Sequence, residues 1–261
     1  MINNGGKVIS GFLGGDKNIT LPFEIKLNGE IYLCTQLLRL LPSKRMVVKA
    51  EHKNGQQLVI KLFAQKKKGQ RELDREKRGQ ALAAQAGVNV PALLFENNNV
   101  QGCCVIAYEY LQAAIPFANK KKTLAMYVDE LLHLTATLHN SGVVQADFHL
   151  GNILIANERL YLIDLASVDV KQEAKPLDKQ ASLANLAMLI VQFKPKQQQI
   201  LINRLQHYYR IRAWQYDTNE KEVFLSYVDK AWQKRKTNYL NKRFRNCTMT
   251  AYQKTFFQED A

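Results

Sequence analysis

The chain has 261 residues, of which 46% are hydrophobic, and carries a formal net charge of +14 at pH 7. This length allows one large domain or two smaller ones with an ordinary core. Its longest apolar stretches fall well short of the ~20 residues that a membrane-spanning helix needs, and the N-terminal segment lacks the basic and apolar regions of a signal peptide. We therefore expect a cytoplasmic protein without a transmembrane segment.

The excess of basic residues predicts an anionic partner, such as nucleic acid, an acidic lipid surface or a phosphorylated ligand. Basic side chains are concentrated in residues 66–78, 120–122 and 230–245. Each segment alone is more typical of a solvated helix face, but the three together favour an anion-binding function. The cysteines include no C-x-x-C pair, which indicates neither a disulfide framework nor a zinc site, and we expect buried free thiols.

The first part of the chain has the pattern of a strand-rich domain. β-Branched residues and alternating polarity across residues 23–63 predict an antiparallel meander. Asn54-Gly55 is a typical hairpin turn within it, because both residues tolerate positive φ. The predicted strands are 30–41, 43–52 and 57–63.

A helix is predicted from Lys68 to Gly87, where apolar residues at helical spacing end at a glycine. Two further strands, 92–96 and 103–111, are predicted on either side of an asparagine-rich turn.

The second part of the chain is mainly helical. Residues 123–142 place a row of apolar side chains on one helix face. Two short apolar segments follow, joined by a turn at residues 157–159, and three more helices are predicted at 177–194, 197–214 and 220–245. This change of character predicts an N-terminal domain over 1–111 and a C-terminal domain over 112–261, with a linker near residues 111–114.

The segment VVQADFHLGNILI (143–155) places polar residues inside an apolar run, where an unpaired polar side chain is costly to bury. Asp147 and Asn152 lie in it, and Asp164 ends the next apolar run, LYLID. In a strand–turn–strand hairpin these three side chains would gather at one end. Two carboxylates in a small volume repel each other unless a cation lies between them, and Mg²⁺ takes such oxygen ligands. The pattern therefore predicts a magnesium site.

A D-x-x-x-x-N pattern followed by an apolar strand that ends in Asp resembles the catalytic loop and metal-binding Asp of the protein-kinase-like fold. Two further parts of that pattern occur in order. Lys61 lies in VIKLF, the third predicted strand, and the next helix holds Glu72 and Glu76. Either glutamate could pair with Lys61; we favour Glu76, which lies roughly three turns before the helix end.

This resemblance implies an α+β, bilobal protein-kinase-like fold. A small antiparallel sheet with one helix would form the N-terminal lobe, which would bind the nucleotide phosphates. A larger, mainly helical C-terminal lobe would carry the catalytic loop, the metal ligands and a basic C-terminal helix.

Several positions depart from the protein kinases. No G-x-G-x-x-G loop precedes Lys61, so residues 43–45 of the first hairpin are the candidates to cover the phosphates. Gln145 stands where many kinases have His, and Asp164 is followed by Leu-Ala in place of Phe-Gly. His149 stands where Ser/Thr protein kinases usually carry Lys. These differences favour the small-molecule branch of the fold, which the D-x-H-x-x-N loop resembles.

Within that branch, the segments QADFHLGNIL and YLIDLA and the basic residues 235–248 resemble the bacterial lipopolysaccharide core kinases. That family phosphorylates heptose or Kdo sugars of the inner core at the cytoplasmic membrane face. The resemblance implies an ATP-dependent phosphotransferase with an alcohol acceptor, an anionic glycolipid. The basic composition agrees with peripheral contact at the inner face of the cytoplasmic membrane.

The resemblance implies roles for four residues of the C-terminal part. Asp147 would orient the acceptor hydroxyl and accept its proton, while Asn152 and Asp164 would hold Mg²⁺. His149 either supports the loop through a hydrogen bond to its backbone or contacts the substrate.

In the N-terminal part, the resemblance implies that Lys61, steadied by Glu76, binds the phosphates of ATP. The backbone near Glu109 and Leu111 would contact the adenine, in a cleft between the lobes.

Two alternatives stay open at this point. A kinase of the same fold for a soluble small molecule or for Ser/Thr residues of proteins would need no lipid-linked acceptor. A catalytically inactive kinase-like protein that binds anions or nucleic acid would not turn over ATP, and its affinity for nucleic acid would depend steeply on salt. The complete set of Lys61, Asp147, Asn152 and Asp164 argues against an inactive protein, and nucleic acid is the less favoured partner.

Overall fold

The computed structural model describes residues 3–64, 67–117, 124–173 and 175–240. The chain divides into two compact units, one within Met1–Gln80 and Pro91–Gln112 and the other within Ala81–Val90 and Ala113–Ala261. The basic segment 120–122, the end of the predicted helix 220–245 and Cys247 lie outside the described residues.

The first unit is built on a seven-stranded sheet with the strand order β1-β2-β3-β4-β5-β7-β6. Neighbouring strands are antiparallel, except that β1 and β2 are parallel. The strands are β1 (Asn3–Asn4), β2 (Phe23–Leu27), β3 (Glu30–Leu41), β4 (Arg45–His52), β5 (Gln57–Ala64), β6 (Leu93–Val100) and β7 (Cys103–Glu109), and the helices are α1 (Gly5–Gly14) and α2 (Lys67–Gln85). Helix α2 runs past Gln80 into the second unit.

The hairpin at Asn54-Gly55 forms as predicted between β4 and β5. The asparagine-rich turn predicted after residue 96 is wrong. Strand β6 continues through the asparagines to Val100, and the chain turns at Gln101-Gly102, which have φ angles of 51° and 80°. A two-residue turn with positive φ at both positions matches the twist of the flanking strands. The asparagines instead accompany a register shift within the β6–β7 pair.

Helix α1 was not predicted, because GGKVISGFLG is rich in glycine, which disfavours helix interiors. Packing overrides that propensity. Ile9 and Phe12 are buried against the sheet, and a Cβ on Gly5 would lie 1.7 Å from the carbonyl oxygen of Glu24. Only glycine allows so close an approach of helix to strand.

The cysteines described in this unit are buried free thiols, as expected. Burial raises the pKa of Cys34 and of Cys103 to about 12, so neither forms a reactive thiolate near neutral pH.

The second unit is mainly helical. Its strands form a three-stranded sheet, β11-β10-β8, and an antiparallel pair, β12-β9. The strands are β8 (Ile115–Pro116), β9 (Val143–Gln145), β10 (Ile153–Ala156), β11 (Arg159–Leu162) and β12 (Val168–Val170), and the helices are α3 (Leu124–Asn140), α4 (Lys179–Ile190), α5 (Pro195–Asn203), α6 (Leu205–Ile211) and α7 (Thr218–Leu240). Apolar faces of these helices share one core with the strands around the 143–155 segment.

The single helix predicted at 197–214 is two helices in the structure, because the backbone leaves helical geometry at Arg204, with φ −101° and ψ 5°. The buried residues continue at helical spacing from Leu201 through Leu205 to Tyr208 across this break. Periodicity alone therefore predicts one helix. Among the helices of the described residues, none combines the length and apolar character that crossing a bilayer requires.

Candidate active site

In the first unit, Lys61 of β5 and Glu76 of α2 form a buried ion pair through Nζ and Oε1. The side chain of Glu76 is fully buried and that of Lys61 is 13% exposed. Glu76 points inward because it shares a helix face with the buried Leu73. Of the two candidate glutamates, Glu76 is the one that contacts Lys61. The role of this pair in binding phosphate stays a prediction.

Tyr108 of β7 completes the surroundings of the ion pair. Its hydroxyl donates to Oε1 of Glu76 at 3.5 Å, and Nζ of Lys61 lies 5.3 Å from the centre of its ring. The ring face is electron-rich and favours a nearby cation. The ammonium of Lys61 is thus fixed by a carboxylate and a ring, and is accessible through a small part of its surface.

Residues 43–45, which were predicted to cover the phosphates, lie in the turn between β3 and β4 and at the start of β4. The N–H of Ser43 donates to the carbonyl of Phe12 at 3.0 Å, and the N–H of Lys44 donates to the carbonyl of Leu41 at 3.0 Å. Since these backbone donors are already used, the turn offers a phosphate its side chains and not a backbone cradle. Helix α1, which carries Phe12, therefore braces a turn that lacks glycine.

Glu109, predicted to lie near adenine, ends β7. Its N–H donates to the carbonyl of Ala92 at 3.0 Å, and its carboxylate accepts the N–H of Ala92 at 3.1 Å. Both of these groups of Glu109 are used to hold the start of β6. The contact of the Glu109–Leu111 backbone with adenine stays a prediction.

In the second unit, one loop brings together the three oxygen-bearing residues of the predicted site. Asn152, 4% exposed, donates through Nδ2 to the carbonyl of Asp147 at 3.1 Å. The carbonyl of Asn152 accepts the N–H of Ile163 at 2.8 Å, which places Asp164 at the next position. The carboxylate of Asp147 is exposed. Hydrogen bonds of Asn152 thus join it to the backbone of Asp147 and to the residue before Asp164, in strands where β9 pairs with β12 and β10 with β11. That the three side chains share a metal site stays a prediction.

Asp164 has φ 56° and ψ 62°, the left-handed conformation, and precedes a short turn at Leu165–Ser167. Asp and Asn adopt this conformation more readily than other non-glycine residues. Gln145 helps to fix it, because its Nε2 donates to the carbonyl of Asp164 at 3.4 Å. Gln145 thus holds the backbone of the residue that was predicted to bind the metal.

The donor set fits Mg²⁺, which commonly binds one or two protein oxygens together with water and substrate phosphates. Nδ2 of Asn152 is engaged by the Asp147 carbonyl, which leaves its amide oxygen as the group that could bind a metal. No group of three or more His, Cys, Asp or Glu side chains with metal-ligand geometry occurs in residues 3–64, 67–117, 124–173 and 175–240. A site that depends on substrate phosphates agrees with that finding better than a cage built wholly from protein.

His149 lies in the same loop, half-buried, and accepts the N–H of Gly151 through Nδ1 at 3.0 Å. A backbone N–H can only donate, so Nδ1 is unprotonated and Nε2 carries the proton of the neutral ring. The hydrogen bond joins the His149 ring to the backbone of its own loop. This is the contact expected if His149 supports the loop, one of the two roles that the sequence left open.

Helix α4 and the turn after it hold the loop through two amide side chains, of Asn185 and Gln192, that the sequence reasoning missed. Asn185 donates to the carbonyl of Gln145 at 3.0 Å, and Gln192 donates to the carbonyl of Phe148. Both amides lie in the apolar run ASLANLAMLIVQF. Polar residues within an apolar run drew attention to residues 143–155. The same pattern could have identified Asn185 and Gln192 as residues with buried hydrogen-bond partners.

A buried network continues from Asn185. Its Oδ1 accepts from Nε2 of His139 at 3.0 Å, and Nδ1 of His139 accepts from the hydroxyl of Tyr208 at 2.6 Å. These directions follow because His139 is fully buried and neutral: burial lowers its pKa to about 4. A chain of hydrogen bonds thus runs from α6 through α3 and α4 to the loop.

Comparison with known proteins bears on the fold. No protein-family model and no curated protein sequence matches the chain. A solved structure of WaaP in complex with acyl carrier protein is similar with a TM-score of 0.51 and 16% identity, over 76% of this chain and 88% of that chain. This chain has a protein-kinase-like fold. The kinase domain of PknI from M. tuberculosis also matches, with a TM-score of 0.41 and 15% identity, over 60% of this chain and 69% of that one.

The kinase-like fold confirms the α+β class expected from the sequence: a curled antiparallel sheet in the N-terminal half and a mainly helical remainder. At 16% identity the likeness establishes the fold alone. The roles of Lys61, Asp147, Asn152 and Asp164 rest on their chemistry and stay predictions.

Proposed function

We propose that the protein is an ATP-dependent kinase that transfers the γ-phosphoryl group of ATP to a hydroxyl of a heptose or Kdo sugar in the lipopolysaccharide inner core. The observation that carries the proposal is the loop in which Asn152 bonds the carbonyl of Asp147 and lies beside Asp164. An exposed carboxylate next to a pair of metal-type oxygen ligands suits phosphoryl transfer to an alcohol.

In this mechanism Asp147 orients the acceptor hydroxyl toward the phosphorus and takes up its proton as the new bond forms. Mg²⁺ on Asp164 and Asn152 would neutralise phosphate charge when bound. Asn152 also ties the loop that carries Asp147, so a single side chain links the position of the base to that of the metal ligands. Placement and charge neutralisation are the main contributions that a protein makes to this reaction.

Lys61 is the proposed ligand of the nucleotide phosphates in the first unit. Its pairing with the buried Glu76 holds the ammonium at one position. A fixed ammonium loses less conformational entropy on binding phosphate than a solvated lysine does. Backbone groups at Glu109–Leu111 are the proposed contacts of adenine.

The acceptor follows from the sequence resemblance of the 145–154 and 161–166 segments to lipopolysaccharide core kinases, and from the charge. A net charge of +14 attracts an anionic glycolipid and an acidic bilayer surface. We propose that the protein works in the cytoplasm, peripherally at the inner face of the cytoplasmic membrane.

Transfer from γ-labelled ATP to purified dephosphorylated core glycolipid tests the proposal, with free sugars and generic proteins as parallel acceptors. At a Mg²⁺ concentration that just saturates the wild type, the wild-type chain is expected to label the glycolipid, Asp147→Ala is not, and Asp164→Asn should label it far more slowly. Full transfer by either variant would refute the site assignment.

The parallel acceptors separate the related functions. Label on soluble sugars alone, or on protein alone, would reject the glycolipid and keep the kinase. Absence of both ATP binding and ATP turnover would reject the kinase itself and leave an anion- or nucleic-acid-binding protein of kinase-like fold.

A further inference from the structure

The buried face of α7 contains a charge. Phe224, Val228 and Ala231 lie at helical spacing on that face and are at most 5% exposed. Arg235 is the next residue of the same row and is half-buried. Arg235 stands where the helical spacing would place another apolar residue, so its guanidinium loses part of its hydration. A neighbouring negative group would offset that loss.

Helix α7 packs against α4, which leads to the loop that contains Asp147, residues 146–152. The two helices begin side by side, where Lys179 pairs with Glu220 at 2.5 Å. A rise of about 1.5 Å per residue takes α7 about 20 Å from that pair to Arg235, and takes α4 to its end at Ile190, two residues before Gln192. Gln192 binds the carbonyl of Phe148 there. Since α4 and α7 pair at their first turns and pack on each other through one core, Arg235 near the end of α7 is carried toward the end of α4 and the loop that Gln192 binds.

Arg235 interacts electrostatically with Asp147, the residue that precedes Phe148. Burial lowers the pKa of the Arg235 guanidinium, and the carboxylate of Asp147 acts in the opposite sense. A helix distant in sequence thus supplies a positive charge that acts on the carboxylate proposed to receive the acceptor proton.

A cation is needed at this place. A carboxylate next to a transferring phosphoryl group faces like charge, which a nearby positive group offsets. His149 does not supply it, since Nδ1 accepts a backbone N–H and its neutral ring is engaged in the loop. Asn152, also in the loop, is uncharged.

We propose that Arg235 is a catalytic residue whose guanidinium binds the phosphoryl group while it passes from ATP to the acceptor beside Asp147. This inference rests on the proposed kinase function. In the step, an O–P bond forms from the acceptor oxygen to the γ-phosphorus and the bond to the bridging oxygen of ADP breaks. The hydroxyl proton goes to Asp147, the leaving electron pair stays on ADP, and Arg235 keeps its proton throughout.

Binding of a transition-state mimic tests the role without knowledge of the acceptor. The affinity of the full chain for MgADP is measured with and without aluminium fluoride, for the wild type, Arg235→Gln and Arg235→Lys. Lys234→Gln, an exposed basic position on the same helix, is the matched control. The wild type and the control are expected to bind MgADP more tightly when fluoride is added.

Arg235→Gln is expected to lose tenfold or more of that gain while its affinity for MgADP alone stays within about twofold, and Arg235→Lys should keep part of the gain. A purely structural role would weaken both affinities together. A full gain in Arg235→Gln, or parallel weakening of both affinities, would overturn the inference and leave the kinase function standing. A wild-type chain that does not bind MgADP would instead remove the kinase function and this inference with it.

Discussion

The backbone N–H of Gly151 donates to Nδ1 of His149 at 3.0 Å. A Cβ on Gly151 would lie 2.8 Å from Cε1 of the same ring, so the glycine also makes room for it. The imidazole therefore closes a two-residue turn, as Asp or Asn side chains commonly do. This relationship gives His149 a structural task in the loop that carries Asp147 and Asn152.

Substitution at His149 can separate loop support from substrate contact. His149→Asn retains an acceptor for the Gly151 N–H and is expected to keep most of the transfer activity. His149→Ala loses the acceptor, and a loosened loop should reduce kcat by about tenfold to a hundredfold. Initial rates of phosphate transfer measure both. Equal, severe losses in the two variants would mean that the ring itself contacts substrate.

The Lys61–Glu76 pair predicts different outcomes for stability and activity. Glu76→Ala leaves an unpaired buried ammonium and should lower the free energy of unfolding by about 3–5 kcal/mol. Replacing both partners, as Lys61→Met with Glu76→Leu, removes the charges together and should restore most of that stability. Denaturant unfolding measures these changes.

Activity should not follow stability in that series. If Lys61 binds phosphate, the double variant stays folded but its kcat falls by at least about a hundredfold. Full phosphate transfer by a stable double variant would show that the pair is structural only.

We expect phosphate transfer to depend on the negative charge of Asp164, and the stability of the fold not to depend on it. Asn accommodates the left-handed conformation that Asp164 adopts, so Asp164→Asn is expected to unfold at the wild-type temperature. Its loss of a carboxylate should raise the Mg²⁺ concentration needed for half-maximal transfer by at least about tenfold. Asp169→Asn is the matched control, since Asp169 is a carboxylate of the same unit that pairs with Lys171 at 3.4 Å. An unchanged Mg²⁺ requirement in Asp164→Asn would contradict the metal role.

Much of this arrangement can be predicted from local pattern. The pattern of residues 57–63 places Lys61 on a strand, and the distance to the helix end favours Glu76 over Glu72 on the next helix. Polar residues in an apolar run identify Asp147 and Asn152. These patterns depend only on residues that are close together in the sequence. They place each residue on an element and on a face of it.

What the sequence leaves out depends on contacts between distant elements. Helix α1 has poor intrinsic propensity and is stabilised by packing on β2, which no local window contains. The buried row across Arg204 conceals a helix break. The bonds from Asn185 and Gln192 to the loop, and the approach of Arg235 to Asp147, need the packing of α4 and α7 to be known.

His139 makes stability depend on pH. Burial lowers its pKa to about 4, an effect that nearby Arg212 reinforces and the bond to Asn185 opposes. In the unfolded chain His139 has an ordinary pKa near 6.5. Between about pH 6.5 and pH 4 it therefore binds a proton in the unfolded chain but not in the folded chain. Stability due to this group is therefore complete above about pH 6.5 and falls as the pH drops toward 4, by up to about 1.4 kcal/mol per pH unit.

The acid limb of the stability curve tests this account. His139→Gln removes the titrating ring, so its free energy of unfolding, although lower at pH 7 because Tyr208 and Asn185 lose a partner, should change less between pH 6.5 and 4. His133→Gln, at an exposed position of the same helix, should retain the wild-type slope. Denaturant unfolding at stepwise pH gives both slopes. If His139→Gln kept the full acid slope, proton uptake at His139 would not be its source, and carboxylates elsewhere would have to account for the loss.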